Sequence, residues 1–459
     1  MVGEWRWRTL GEMTENLDSI RVPVKESDRR AGPFPYYGAS GVVDHVDDYL
    51  FDGEYLLIAE DGENLRTRTT PVAFLARGKF WVNNHAHIVR GKGDADTRFL
   101  MHSLAATDFG GYLTGSTMPK LTQANMDRIP ILAPPVDEQR AIADILGTLD
   151  DKIELNRRMT ETLEAMARAL FKSWFVDFDL VQAKAEGRDP GLPKPLSNLF
   201  PDSFEDSELG EIPKGWKVQP VYEIAHVVCG APFASSQFNT DGVGKPLVRI
   251  RDLPNETPGV WTPEVHPKGH MVRPGDIVVG MDGEFRVYLW GGSDAWLNQR
   301  VCVFVPEPGY SAAFVRNSII EPLAGVEATE TATTVIHLGK ADIDQFLVTV
   351  PVSPVSAAFN RTCQPWYDGI VAHKLESRTL TALRDTLLPR LISGELRSCC
   401  SGAPSGSRPR CRNACCDWRA SAARTGRSSW IAVSFTATRS IYSRRQSDSF
   451  ERASPLPAV

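Results

Sequence analysis

The apolar pattern of the chain contains two long stretches in which hydrophobic positions recur at alternating steps of four and three. The first row runs through Ile142, Leu146, Leu149, Ile153, Asn156, Thr160, Leu163, Ala167, Leu170 and Trp174. The second runs through Phe359, Cys363, Trp366, Ile370, His373, Ser377, Leu380, Arg384, Leu387 and Leu391. This alternation, held over about five heptads, predicts a coiled-coil seam. Forty helical residues at about 1.5 Å each make a rod of about 60 Å.

The two helical stretches belong to an internal repeat. With an offset of 217, "STMPKL" at 116–121 aligns with "TTVIHL" at 333–338, and the matches continue without a gap as far as Leu170 and Leu387. Upstream, Trp5 aligns with Trp216 at an offset of 211. A constant offset over about sixty residues indicates a tandem duplication.

The front part of each copy has a β pattern. Short apolar runs closed by turn residues, such as "EYLLIAEDG" and "GDIVVGMDG", predict strands. The turn motif "EDGE" in the first copy resembles "MDGE" in the second, and "WVNN" resembles "WLNQ". The segment at 181–215 between the copies is rich in Pro, Gly and Asp, which is typical of a linker.

The beginnings and the pairing of the two predicted helices can be argued from side chains. Asp137 follows two prolines and is a plausible N-cap, whereas the second copy reads "VPVSPVSAAF" and has no acidic cap. In antiparallel packing about residues 158 and 375, Asn156 would face Ser377, Thr160 would face His373 and Ala167 would face Trp366. Parallel packing would instead set Ala167 against Arg384. We therefore favour the antiparallel arrangement.

The charge is unevenly distributed along the chain. The net charge of −6 divides into +8 from residue 397 onward, where 11 arginines face 3 acidic residues, and −14 over residues 1–396. An acidic body is a poor nucleic-acid binder by itself, because phosphate contacts dominate that affinity. DNA contact would therefore need local basic surfaces or basic partners.

Cysteine usage and apolar run lengths bear on the compartment. Five of the eight cysteines lie after residue 397, and the body keeps Cys229, Cys302 and Cys363, which are widely spaced. This usage fits buried thiols in a reducing compartment. No apolar run is as long as a membrane span, and the first residues lack the apolar core of a signal peptide. The sequence predicts a cytoplasmic protein with no membrane partner.

From Trp5 to about Arg397 the chain resembles the DNA-specificity subunits of type I restriction–modification systems. The resemblance rests on "FPYYGASGV", "STMPKL", "PILAPPVDEQRAIADILGTLDDKIELNRR", "ALFKSWFVDFD", "ELGEIPKGWKV" and "LLPRLISGEL". It implies an α+β fold, in which two mixed α/β target recognition domains are separated by two long helices packed as an antiparallel coiled coil with pseudo-two-fold symmetry. Each domain would read one half of a bipartite, asymmetric DNA site.

The resemblance also implies domain limits and partners. Recognition domains would span 1–135 and 216–352, long helices 136–180 and 353–396, and a linker 181–215. The partners would be double-stranded DNA, methyltransferase subunits docked on the helices and endonuclease subunits that translocate DNA. S-adenosylmethionine, ATP and magnesium would serve those subunits, and this chain would hold no cofactor. The tail at 397–459 departs from the family, and we hypothesise that it is an out-of-frame, disordered segment. A body destabilised by trimming near Arg397 would contradict that hypothesis.

Candidate DNA-reading residues are Arg, Lys, Asn and Gln in turn-like segments, because these side chains suit base edges and phosphates. They are Arg66, Arg68, Lys79, Asn83, Asn84 and Lys120 in the first domain, and Arg249, Arg251, Arg286, Asn298, Gln299 and Arg300 in the second. Most surface cations are only solvated, so each residue alone is a weak candidate. The segment "NLRTRTT" at 64–70 is the strongest, and "EFRVYLW" at 284–290 is its equivalent.

Other candidates have two interpretations. His85 and His87 would lie on one strand face, but no further ligands lie near, so structural roles are favoured over metal binding. Phe171, Trp174 and Phe175 could close the first long helix or form a docking face for the methyltransferase. The motifs of an adenine methyltransferase, a P-loop and a zinc protease are missing from the sequence. A self-sufficient nuclease or methyltransferase is thus disfavoured, and a coiled-coil adaptor without DNA specificity or a degenerate, inactive copy remain the alternatives.

Overall fold

Each copy of the repeat is closed by a two-stranded antiparallel sheet that joins its beginning to its end. Arg6–Thr9 pairs with Pro130–Ala133, and Lys217–Pro220 pairs with Leu347–Val350. Equivalent strands are offset by 211 and 217, as in the sequence. The computed structural model describes residues 4–329 and 337–397. The predicted tail after Arg397 and most of "TTVIHL" lie outside the described residues.

The first domain contains a six-stranded sheet, antiparallel except where one strand pair runs parallel. Its strands are, in spatial order, Thr14–Asn16, Ala86–Gly91, Phe51–Ala59, Ala73–Val82, Ala31–Gly38 and Gly41–Val46. Its helices are Leu10–Met13, Asn64–Thr67, Thr97–Ala105 and Gln123–Met126, with 3-10 turns at Asp18–Ile20, Glu26–Asp28 and Gly110–Tyr112. The alternating apolar residues of Phe51–Ala59 fill a core on each side of the sheet.

The second domain contains two four-stranded sheets. One has the order Ala225–Cys229, Val301–Pro306, Ile277–Gly280 and Val287–Leu289, and the other Trp261–Thr262, Lys245–Val248, Ala295–Leu297 and Met271–Val272. The helices are Ala312–Thr329 and Lys340–Ile343, with 3-10 turns at Val221–Glu223, Ser235–Gln237 and Ile250–Asp252. The mixed α/β character predicted from the sequence is therefore present.

The two long helices span Val136–Phe175 and Ser353–Ile392, each of 40 residues. Leu146 shares an apolar cluster with Leu391, whereas the ring centroids of Phe171 and Phe359 lie 6.0 Å apart. The beginning of each helix thus meets the end of the other. The predicted contact between Asn156 and Ser377 is present, at 3.3 Å between Nδ2 and Oγ. No helix among the described residues has the length and apolarity needed to cross a membrane.

The first long helix begins without the acidic cap that was predicted. Pro135 occupies the N-cap position and no side chain caps the helix, so the prediction for Asp137 is wrong. Two neighbouring side chains turn inward instead. Glu138 accepts a hydrogen bond from Trp5 Nε1 at 3.1 Å, and Gln139 bonds to the backbone of Asp96 and Pro134. Glu138 and Gln139 therefore link the beginning of the helix to its own domain.

The segment at 181–215 is folded over most of its length. It contains the helices Asp179–Ala185 and Lys194–Ser197 and a hairpin of Phe204–Ser207 with Gly210–Pro213. Val181, Phe200 and Ile212 are buried in the same core as the end of the first long helix. The interpretation as a plain linker overlooked these apolar residues, which are spaced between turn residues and bury only against distant partners.

Candidate nucleic-acid interface

Three segments of the first domain meet at one edge and form what we call the first loop cluster, residues 60–66, 83–85 and 114–121. Glu60 N donates to His85 O at 2.9 Å, and Leu121 N donates to Glu60 O at 2.8 Å. Asp61 and Lys120 form an isolated antiparallel bridge. Motifs that lie up to sixty residues apart, "EDGE", "WVNN" and "STMPKL", are thus joined by backbone hydrogen bonds.

The second domain contains an equivalent second loop cluster, residues 281–286, 297–300 and 337–338. Met281 N donates to Arg300 O at 2.9 Å, and Leu338 N donates to Met281 O at 2.8 Å. Asp282 and His337 form the bridge that corresponds to Asp61 and Lys120. The same arrangement of loops therefore occurs once in each copy of the repeat.

Three of the predicted reading residues project from the first loop cluster. The Arg66 guanidinium is 43% exposed and donates to Gly115 O at 3.2 Å. Asn84 is exposed, and Lys120 is half exposed with its Nζ 3.1 Å from Glu60 Oε1. Together they present cationic and amide donors on one surface, which suits phosphate oxygens and base edges.

The other three predicted residues of the first domain do not project from the cluster. Arg68, at φ +51°, donates to the carbonyls of Leu104 and Ala105 and so binds the end of a helix. Asn83 is buried, and its Oδ1 accepts from His85 N at 2.8 Å. Lys79 Nζ lies 4.4 Å from the centroid of the Tyr49 ring. The contacts of Arg68 and Asn83 maintain the fold.

In the second domain the predicted residues lie in or beside the second loop cluster. Arg286 is exposed and paired with Glu284, Gln299 is exposed, and Arg300 Nη1 lies 3.1 Å from His337 Nδ1. The half-buried Asn298 donates its backbone N–H to Val248 O at 3.2 Å.

That hydrogen bond brings the turn at 249–252 next to the second loop cluster. Arg249 Nε bonds Asp252 at 3.1 Å within this turn. Arg251 is exposed and makes no hydrogen bond or ion pair with any residue that the structure describes. Arg251 is therefore the freest cation at this edge.

The two histidines considered as metal ligands, His85 and His87, both have protein partners. His85 Nδ1 lies 2.9 Å from Asp61 Oδ2, and the buried His87 lies between Asp18 and Leu121 O. The structural interpretation accounts for each imidazole. Within residues 4–329 and 337–397, no group of three or more His, Cys, Asp or Glu side chains could hold a metal ion.

The three aromatic residues at the end of the first long helix are buried. Phe171, Trp174 and Phe175 contact Phe359 on the second long helix, and Phe175 lies 5.1 Å from Phe314 between ring centroids. They pack the helix pair against the second domain. Of the two interpretations, packing accounts for their contacts.

The first long helix also has an apolar face that was not predicted from the sequence. Leu155, Met159 and Met166 are 50%, 39% and 43% exposed. Steps of four and seven residues put them on one side of the helix, outside the seam. We call this the exposed stripe. The spacing of these three apolar residues, which places them on a helix face other than that of the seam row, could have been found in the sequence.

Comparison with known proteins gives concordant results. A family model described as "Type I restriction modification DNA specificity domain" matches residues 3–165. A putative type I restriction enzyme specificity subunit of Haemophilus influenzae is 42% identical over 147 residues, 32% of this chain and 37% of that protein. The MjaIX specificity subunit of Methanocaldococcus jannaschii is 24% identical over 437 residues, 86% of this chain and 94% of that protein.

The fold is also shared with a solved structure. The type I restriction–modification S subunit from M. genitalium superposes with a TM-score of 0.54 at 14% identity, covering 85% of this chain and 96% of that one. Another relative, the HindI specificity subunit of H. influenzae, is 25% identical over 333 residues, 61% of this chain and 72% of its own length. By family model and by relatives the chain is similar to type I restriction–modification specificity subunits, and its fold is like that of a solved one.

Proposed function

We propose that this chain is the sequence-specific DNA-recognition subunit of a type I restriction–modification complex. The observation that carries the proposal is the recurrence of one loop cluster in each copy, built by the same backbone hydrogen bonds. Both clusters expose Arg, Asn, Gln or Lys side chains, the types that read base edges. The two clusters differ in sequence, so each would read a different half of a bipartite, asymmetric site.

We further propose that the chain is a pseudo-two-fold repeat whose helices form an antiparallel coiled-coil spacer. The first domain buries Ile142 and Leu146 together with Leu391, and the second buries Ala167 together with Phe359 and Cys363. Each domain therefore packs against the beginning of one helix and the end of the other. This packing supports recognition domains at opposite ends of a rod whose length sets the distance between the half-sites.

Catalysis would belong to partner subunits. The exposed stripe is an apolar surface on the spacer itself, and we propose that it docks a methyltransferase subunit. That partner would use S-adenosylmethionine, and an endonuclease subunit would use ATP and magnesium. The net charge of −14 over residues 1–396 supports this division, because cations of a partner would be needed to hold the DNA backbone.

A modified-base map of the host genome tests the proposal. With the gene present we expect one methylated two-part motif, and its deletion should erase that motif alone. Restoring the full chain should restore methylation, whereas a chain with Leu155→Asp and Met159→Asp should not. A map unchanged by deletion would overturn the proposal and favour the adaptor interpretation or an inactive copy.

A further inference from the structure

We propose that His87 is a positioning residue of the first loop cluster, a doubly protonated clamp that holds the loop at 114–121 in its reading position. The inference rests on the proposed function and adds a part that only one of the two domains has. His87 is 2% exposed and lies in the strand Ala86–Gly91, directly beneath the cluster. The imidazole is buried away from the exposed reading surface, and its neighbour Glu60 bonds Lys120 of that surface.

The geometry requires protons on both ring nitrogens. Nδ1 lies 2.5 Å from Asp18 Oδ2, and Nε2 lies 2.8 Å from Leu121 O. A carboxylate and a carbonyl are both acceptors, so each nitrogen must donate. A neutral imidazole has a single N–H and would leave one of the two contacts as lone pair against lone pair. Loss of the proton therefore releases either Asp18 or the end of the loop.

The charged groups around His87 favour the imidazolium. Glu60 Oε2 lies 3.8 Å from Nδ1, and Arg21 bridges Asp18 and Glu60. Lys120 bonds Glu60 from the loop itself, and Asp127 adds a further negative charge nearby. Burial lowers the pKa of His87, but the bonds to Asp18 and Leu121 O and the nearby carboxylates outweigh it, and the pKa is raised above its ordinary 6.5.

The second domain lacks this device. At the positions that correspond to His87 and Glu60 it has Cys302, a buried thiol that donates to Val279 O at 3.8 Å, and Met281. Its loop still bonds through Leu338 N to Met281 O, as Leu121 N bonds to Glu60 O. Among its described residues, the second loop cluster therefore has no buried imidazole beneath its loop; its own histidine, His337, is half exposed and bonds Asp282 Oδ1 at 2.7 Å.

The sign of the pH dependence follows from the raised pKa. The stabilisation by the charged imidazole is complete below about pH 6.5 and is lost as the pH rises through the folded-state value. Asp18 and Glu60 have lowered pKa values despite burial, because His87, Arg21 and Lys120 bond to them, so both stay ionised across this range. The clamp therefore opens on the alkaline side.

Hydrogen exchange on the full chain tests the clamp without DNA. The amides of Thr114, Lys120 and Leu121 are hydrogen-bonded and should exchange slowly at pH 6. After correction for the intrinsic exchange rate, the protection factors of these amides should fall about tenfold by pH 9. A change of this size is expected when one charge-assisted hydrogen bond is lost. Strand Ile277–Gly280 in the second domain should not change. Protection that is independent of pH would overturn the proposal.

Two variants separate a clamp from simple packing. Asp18→Asn keeps an oxygen for Ile88 N but removes the charge, so the midpoint of the loss should move to lower pH. His87→Gln should exchange fast at both pH values, while the exposed control His226→Gln should match the parent. An unshifted midpoint in Asp18→Asn would mean that His87 merely fills space, even if His87→Gln fails to fold.

Binding by the full complex then tests the role in recognition. Discrimination at the first half-site should weaken between pH 6 and pH 9, and discrimination at the second should not. If discrimination depends on pH in the same way at both half-sites while exchange behaves as expected, His87 stabilises the loop but has no role in recognition. The proposed function would be unaffected by that result. A complex without sequence preference at any pH would overturn the proposed function, whereas the exchange result would still decide the clamp.

Discussion

At the scale of single residues, the two copies differ most where polar side chains are buried. Trp5 donates to Glu138 in the first copy, but Val355 stands at the position of Glu138 in the second. Trp216 Nε1 is consequently buried without a hydrogen-bond partner among the described residues. An unpaired buried donor costs about 1–3 kcal/mol, so the second copy has lost part of the polar network at its helix start.

The contribution of buried polar contacts to the stability of the first copy can be measured by replacing Gln139. Its side chain bonds Asp96 N at 2.9 Å, Asp94 O at 3.1 Å and Pro134 O at 2.8 Å. Gln139→Ala should lower the free energy of unfolding by about 1–3 kcal/mol, because buried backbone groups lose their partners. Urea unfolding gives the value. Ser356→Ala, at the equivalent position, should cost less, since that hydroxyl bonds only Ser353 O. Equal midpoints for Gln139→Ala and the parent would contradict the prediction.

Arg66 and Arg286 form a matched pair for testing readout. Arg66→Ala should relax selectivity at one half-site by about 1–3 kcal/mol and leave the other unchanged, the loss expected of one base contact. Arg286→Ala should do the reverse. Binding of duplexes with single-base changes in either half, at fixed salt, measures both. A uniform loss at both halves would mean that the residue contacts phosphates only.

At the scale of elements, a buried polar layer crosses the middle of the helix pair. Asn156 is 1% exposed, donates to Glu376 Oε2 at 2.8 Å and accepts from Lys152 Nζ at 2.9 Å. Lys152 and Glu376 also pair directly, at 3.0 Å. Every polar group of this layer has a partner, which favours one register over shifted ones.

Removing the amide should weaken the pair of helices. Asn156→Ala should cost about 1 kcal/mol, the net value of an ordinary hydrogen bond, because Lys152 and Glu376, which are 38% and 45% exposed, lose their bonds to the buried amide. Urea unfolding followed by circular dichroism at the helical signal measures the change. Thr162→Ala, an exposed site on the same helix, serves as the control and should stay within about 0.5 kcal/mol. A neutral Asn156→Ala would show that domain packing alone holds the register.

At the scale of the whole molecule, both domains hold both helices. Arg98 pairs with Asp144 of the first helix and Lys374 of the second helix pairs with Glu256, in addition to the apolar contacts at each end. The exposed stripe lies between the two regions in which the domains contact the helices. Apolar surface left uncovered on a helix suits a partner, because burial contributes about 25 cal/mol per Å².

Charge introduced into the exposed stripe should abolish docking and spare the fold. Leu155→Asp with Met159→Asp should weaken binding of the methyltransferase subunit by at least about tenfold, the effect of losing an interface hot spot. Co-purification and titration measure it, and an unchanged urea midpoint confirms folding. Val43→Asp, at an exposed apolar site of the first domain, is the control. Undiminished binding by the double variant would place the dock elsewhere.

The sequence alone predicted the two long helices and the motifs that meet in the loop clusters. The seam rows predicted helices that the structure bounds at Val136–Phe175 and Ser353–Ile392, because a periodic apolar stripe summed over forty residues outweighs local preferences. The first long helix was predicted to extend to residue 180. It ends at Phe175, and Phe178 adopts a left-handed conformation with φ +53°. Local turns of this kind have little sequence signal.

Only the tertiary structure decided which polar and aromatic residues face solvent. Arg68 and Asn83 have the chemistry of DNA-reading residues, yet their partners at 104–105 and at His85 hold them within the fold. Phe171 is buried by Phe314 and Phe359, which lie more than 140 residues away in sequence. Residue type and spacing predict what a side chain can do. Its partners depend on segments that only folding brings together, and a buried polar group is stable only where those partners satisfy it.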